Sequence, residues 1–175
     1  MRRTNFNALH KRLQKKADAI IEERLKKSLP ALIRLALDHA KIHHVTGNTI
    51  NSYAVALWHE GKFLGFYSSY QELHKAPTRM TLKKGETYDQ PYYWSGEPNK
   101  GYTAPTGDRN YWGQEEAEDF IGTHFPSKNG WAYILVAAVD YAKYLEARGT
   151  ATVLGGIQSE LESRGANVSE MKFWK

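Results

Sequence analysis

Nine consecutive residues, Trp131 to Val139 (WAYILVAAV), contain no charged residue and no glycine or proline. A strand turns successive side chains to opposite faces, so a run that is apolar at every position needs cover on both. This predicts a central strand with a layer above and a layer below it. The chain has 175 residues, enough for one such domain. A chain of that size buries about 70% of the surface its unfolded form exposes, and holds together without covalent staples. It contains no cysteine, which excludes disulfides, thiolate metal sites and a cysteine nucleophile, and agrees with a reducing compartment.

Upstream of that strand the periodicity is helical. Leu9, Leu13, Ala17, Ile20, Ile21 and Leu25 recur at three- and four-residue spacing, so residues from Phe6 to Lys27 read as a helix with one apolar stripe. Ser28-Leu29-Pro30 punctuates it: Ser28 is a candidate cap for a second helix over Ala31 to His43, with Pro30 in its first turn. A single kinked helix fits the same residues equally well. After Thr46-Gly47-Asn48 the period changes to two. Tyr53, Val55 and Leu57 alternate with Ser52, Ala54 and Ala56, then His59 to Lys62 forms a turn and Phe63 to Ser69 a second strand.

From Gln71 to Asn129 no period persists. Five of the six prolines lie there, and residues 85–131 hold 10 of the 22 aromatics. Disordered tracts are poor in aromatics, so the segment reads as an ordered insertion interrupted by a short helix near Gln114 to Ile121. Tyr92, Tyr93, Trp94, Tyr111 and Trp112 are its candidate oligomer-interface residues, since interfaces favour such rings. Asp140 to Arg148 follows the apolar strand as a short helix or turn ending at Gly149. Thr150 or Thr152 can cap a last helix with Val153, Leu154, Ile157 and Leu161 inward and Gly165 at its C-terminal end, and Val168 to Trp174 suits a closing strand. The expected fold is α+β: N-terminal helices on a small, mainly antiparallel sheet, a long aromatic-rich insertion between strands, then a C-terminal helix and strand. It forms a single domain over 1–175, with a basic helical arm (1–44), sheet and closing helix (45–70 and 131–175) and an insertion (71–130).

The net charge of +5 sits at one end. Residues 1–44 hold 11 Lys or Arg against 4 Asp or Glu, leaving a net of −2 on the rest. Arg2, Arg3, Lys11, Arg12, Lys15 and Lys16 are therefore the candidate contacts to a nucleic acid or an acidic partner. The basic start has no apolar segment behind it, unlike a signal peptide, and no apolar run reaches the roughly 18–20 residues of a membrane helix. The expectation is a chain made in the cytoplasm, without a membrane partner.

A catalytic set does not emerge. His39 and His43 have the i, i+4 spacing of zinc ligands but no third ligand beside them, and Trp58-His59-Glu60 continues as Gly-Lys-Phe rather than toward a second histidine. The glycine-rich pieces match no phosphate-binding loop, and no serine sits in a nucleophile elbow. Glu115, Glu116, Glu118 and Asp119 suit the acidic first turns of a solvated helix better than paired catalytic carboxylates. No catalytic, cofactor-binding or metal-ligating residue is assigned, and the chain reads as a non-enzyme.

Two stretches carry a likeness: His44-Val45-Thr46-Gly47-Asn48-Thr49-Ile50-Asn51-Ser52-Tyr53 entering the first strand, and Val136-Ala137-Ala138-Val139-Asp140-Tyr141-Ala142-Lys143-Tyr144-Leu145-Glu146-Ala147-Arg148-Gly149-Thr150 before the closing helix. Together they resemble the HK97 gp10-like family of tailed-phage neck, head–tail connector and tail-completion proteins, which pairs a T-G-N-L-x-x-S element entering the first strand with a later Y-A-x-x-(V/L)-E-x-G element before a closing helix. The motif positions here, Thr46, Gly47, Asn48, Ser52, Tyr141, Ala142, Glu146 and Gly149, have structural duties. Gly47 can take positive φ and Asn48 tolerates it; Ser52 is small; Tyr141 and Tyr144 share a helical face. The resemblance implies a homo-oligomeric ring of the virion neck, assembled in the host cytoplasm and docked to portal, adaptor or tail-tube proteins. Genomic DNA would pass through its lumen without sequence-specific binding. The competing reading is a nucleic-acid-binding module built on the basic N-terminal helix.

Overall fold

In the computed structural model the described residues are 2–39, 43–44, 48–73, 83–88, 92–93, 102–103, 113–124, 130–138, 153–163 and 165. One long helix, α1 (Arg2–His39), opens the chain, followed by a two-residue strand β1 (His43–His44) and a single helical turn α2 (Asn48–Asn51). Strands β2 (Tyr53–His59) and β3 (Lys62–Ser68) run into the short helix α3 (Ser69–Leu73). The insertion contributes β4 (Thr87–Tyr88), β5 (Tyr92–Tyr93), β6 (Tyr102–Thr103) and helix α4 (Gly113–Thr123). Strand β7 (Trp131–Ala137) and helix α5 (Val153–Ser163) complete the described elements.

Among the described residues the main sheet has three antiparallel strands in the order β3-β2-β7. The β2–β3 turn is two residues long, with Glu60 and Gly61 at φ 51° and 73°, the doubly left-handed geometry that matches strand twist. Glu60 fixes this turn to the start of β7: its N–H donates to the Gly130 carbonyl at 3.0 Å and its carboxylate accepts from the Gly130 N–H at 2.8 Å. Both faces of the sheet are covered. Tyr53, Val55 and Leu57 pack under Leu29, Ile33, Ala36 and Leu37 of α1 and Val153 and Ile157 of α5. Ala54, Ala56 and Trp58 pack with Val136 against Ala117 and Ile121 of α4. The result is the α+β fold expected: helices over both faces of a small antiparallel sheet.

Four expectations need correction. Among the described residues the strand paired on both edges is β2, not the apolar run Trp131–Val139, whose described part (β7) pairs with β2. Helical cover on both faces, rather than central position, makes a strand apolar throughout, and β7 has that cover on an outer position. Six residues of β2 are buried, including the alanines on the α4 side, so its alternation does not mark a solvent face.

Of the two readings left open for the N-terminal residues, the structure shows the single helix. Pro30 lies inside α1, and Ser28 is no cap: its hydroxyl donates to the Leu25 carbonyl at 2.7 Å, one turn back within the same helix. The helix also stops short of His43, because His43 and His44 are extended and pair with Tyr93 and Tyr92 of β5. Asn48 begins the helical turn α2 instead of leading straight into a strand.

Other expectations agree. The helix expected near Gln114 to Ile121 is α4. Gly165 follows the last helix at φ 84°, its N–H on the Glu162 carbonyl at 2.9 Å, a left-handed C-terminal stop. The segment Asp140 to Arg148, Gly149, the threonine caps and the strand Val168 to Trp174 lie outside the described residues.

Candidate interaction surfaces

Five of the seven large hydrophobic side chains that stand exposed among the described residues lie on α1. Phe6, Leu9, Leu13 and Ile20 are 70%, 54%, 57% and 55% exposed, and Ile21 is 40% exposed. At about 100° per residue, the nine steps from Ile20 to the buried Leu29 turn roughly 180° round the helix. The apolar residues of the N-terminal half thus lie on the helix side opposite to the buried one, along a stretch whose residues 6–17 are exposed at every position, while those of the C-terminal half point into the sheet. Over the changeover the inward positions are Asp18 and Glu22, both half-buried. The single stripe expected from Leu9 to Leu25 is therefore two stripes out of phase: Leu25 packs on the core, and Leu9, Leu13 and Ile20 do not.

Charge follows the same division. Residues 2–17 hold six Lys or Arg and no Asp or Glu, and Lys11, Arg12, Lys15 and Lys16 are all exposed. Farther along, Glu22 and Glu23 are held by Lys26 and Lys27 at 2.7 and 2.6 Å. Those hydrogen bonds lower both carboxylate pKa values.

On the opposite side of the sheet, α4 exposes Glu115, Glu118 and Asp119. Beside it, Phe66 and Ile134 are only partly buried and Phe63 is 45% exposed, its ring edge-on to Trp58 at 5.4 Å between centroids. Sequence reading did not single out these three, because alternation within a strand does not say how far a covering helix reaches.

Two polar clusters lock α1 to the body. The Tyr133 hydroxyl donates to the Leu25 carbonyl at 3.1 Å and lies 2.7 Å from the Ser28 hydroxyl, which shares that carbonyl. Two hydroxyl protons serve three oxygens one turn before Pro30, on the stretch where the helical ladder is weakened. Burial outweighs the Ser28 contact and raises the Tyr133 phenol pKa. In the second cluster, Arg34 of α1 and Tyr67 of β3 both bond the Glu72 carboxylate, the latter at 2.9 Å. Burial and the adjacent carboxylate raise the Tyr67 pKa.

A shallow open groove of about 370 Å³ runs beside α1, lined by Ser28, Ala31, Leu32, Arg34, Leu35, Asp38 and Leu161. Its walls are mostly aliphatic, and Arg34 is engaged by Glu72. Among the described residues no group of three or more His, Asp or Glu converges as metal ligands, and no helix is long and apolar enough to cross a membrane. His39 ends a helix while His43 lies in a strand, so the i, i+4 histidine geometry considered for zinc does not form.

Of the family-motif positions, Asn48 and Ser52 are described. Ser52 is fully buried; its hydroxyl donates to the Thr49 carbonyl at 2.7 Å and its own carbonyl accepts from Ala138 at 3.2 Å. It closes the α2 turn and joins it to the end of β7. Thr46, Gly47, Tyr141, Ala142, Glu146 and Gly149 lie outside the described residues, as do Trp94, Tyr111 and Trp112. The backbones of Tyr92 and Tyr93 form β5 against β1, and Arg2 and Arg3 belong to α1. Comparison with protein-family models, curated proteins and solved structures found no match to this chain.

Proposed function

We propose that this chain is a structural subunit of a tailed-phage virion, forming a homo-oligomeric ring at the head–tail junction and acting through its surfaces without catalysis. The observation that carries the assembly part of this reading is the outward stripe of α1. Phe6, Leu9, Leu13 and Ile20 lie more than half exposed in a row on one helix face. Contiguous exposed apolar surface on a soluble chain marks an interaction site. The phage address rests on the likeness of Thr46 to Ser52 and Tyr141 to Gly149 to the neck and tail-completion proteins. In that setting the ring joins portal or adaptor to tail and DNA passes through its lumen.

Light scattering and negative-stain microscopy of the purified chain test the assembly part. The expected outcome is a defined closed oligomer. A monomer that stays monomeric with portal, adaptor and tail-tube proteins present would end this reading.

A second reading is favoured by the absence of acidic residues over 2–17: the arm grips nucleic acid through Arg2, Arg3, Lys11, Arg12, Lys15 and Lys16. It predicts retardation of DNA or RNA with an affinity falling steeply as salt rises. Retention that ignores salt, or none at all, excludes it.

A further inference from the structure

We infer that the outward stripe of α1 docks head to tail on a second copy of the chain, against the α4 side of that copy's sheet. Chemistry and direction agree on this pairing. The stripe offers Leu13 and Ile20 with Lys16 and Arg24 set among them at three- and four-residue spacing, all exposed. The receiving side offers Phe63 and the partly buried Phe66 and Ile134, bordered by the exposed carboxylates of α4. Apolar surface meets apolar surface, and a basic margin meets an acidic one.

A symmetric contact of stripe with stripe fits less well. No carboxylate occupies the i±3 or i±4 positions around Arg12, Lys16 or Arg24. Glu22 and Glu23 are already held by their own lysines. Two stripes together would therefore set like charges side by side.

The directions also differ. α1 and α4 cover opposite faces of the sheet, and the stripe lies on the side of α1 turned away from it. Donor and receiver surfaces thus face apart, so a contact between unlike surfaces repeats from copy to copy and closes into a ring where the rotation allows. The docking deepens the ring reading above and rests on it for closure, though not for the contact itself.

Charge reversal separates the possibilities. Molar mass against concentration is measured by light scattering for wild type, K16E/R24E, E118K/D119K, their equal mixture and the chain carrying all four changes. Far-UV circular dichroism checks that each stays folded, as these side chains are exposed. Wild type is expected to pass beyond the dimer. Each double variant should associate about tenfold or more weakly, and the mixture and the fourfold variant should recover. Wild-type oligomers that ignore E118K/D119K would overturn the docking and leave the ring reading standing. A wild type that remains monomeric at every concentration would overturn the docking, and the ring reading too if its virion partners fail to assemble it. Monomers that instead bind phosphatidylglycerol vesicles or DNA through Lys16 and Arg24 would overturn it by assigning the stripe to an anionic surface.

Discussion

Tyr133 shows how one side chain sets both a local bond and a pH dependence. It stands on β7 directly across from Leu57, yet it is 39% exposed because its ring reaches outward to Ser28 and the Leu25 carbonyl. Tyr133→Phe keeps the ring and removes those bonds, so it should lower stability by about 0.5–1.5 kcal/mol in denaturant titration. The pH effect has a definite sign. The folded phenol pKa is raised above its ordinary 10.0, so the stabilising contribution is whole below pH 10 and is lost as pH climbs through the folded value. Tyr67, raised by burial and Glu72, acts in the same direction. Wild-type stability should decline above pH 10, and Tyr133→Phe should make that decline shallower. An alkaline limb unchanged by the substitution would show that Tyr133 titrates alike in the folded and unfolded chain.

Among the elements, α5 meets α1 through a glycine. A methyl group at Gly156 would stand 2.6 Å from Nδ1 and 2.9 Å from Cγ of His39, whereas one at Gly155 meets nothing within 4 Å. Both positions are helical, so alanine removes the same excess of unfolded-state freedom at each. Gly155→Ala should therefore stabilise by about 0.5–1 kcal/mol. Gly156→Ala should destabilise by about 1–3 kcal/mol as the histidine ring is displaced. Removing the ring with His39→Ala should bring the second variant back toward the first. Equal thermal shifts for the two alanines would refute the close approach.

α1 carries a comparable test. Pro30 has no N–H to give to the Lys26 carbonyl in a helix that is otherwise continuous over 38 residues. Pro30→Ala should stabilise by about 1–3 kcal/mol, seen as a higher melting temperature with unchanged oligomeric mass. A lower melting temperature would mean that the proline ring packs better than alanine at that half-buried site.

For the whole molecule, the core and the insertion separate. The two apolar clusters draw on α1, α2, β2, β3, α3, α4, β7 and α5, and on no described residue between 88 and 112. Deleting residues 88–112 removes β5, β6 and Tyr88 of β4 but spares every strand of the main sheet. The expected product keeps its helical circular dichroism and unfolds cooperatively. It no longer assembles if Tyr92, Tyr93, Trp94, Tyr111 and Trp112 make contacts between subunits. Loss of the folded state would place those rings in the core; retained assembly would remove them from the interface.

The amino-acid sequence by itself determined the α+β class, the β2–β3 hairpin, the helix near Gln114 to Ile121 and the position of the last helix. Each follows from local periodicity or from a turn residue such as Gly61 or Gly165, and local chemistry is decided by neighbours in the chain. It also determined that residues 2–17 carry six Lys or Arg and no Asp or Glu. Only the tertiary structure decided that, among the described strands, β2 and not the apolar run at Trp131 is paired on both edges, since burial on two faces looks the same in a middle strand and a covered outer one. Only packing carried α1 through Pro30 as one helix, where spacing fitted a break equally well. The phase reversal along that helix was countable from Ile20 and Leu29, but which stripe faced inward was not. That choice depends on where the sheet lies, and the sheet is built from residues far along the chain.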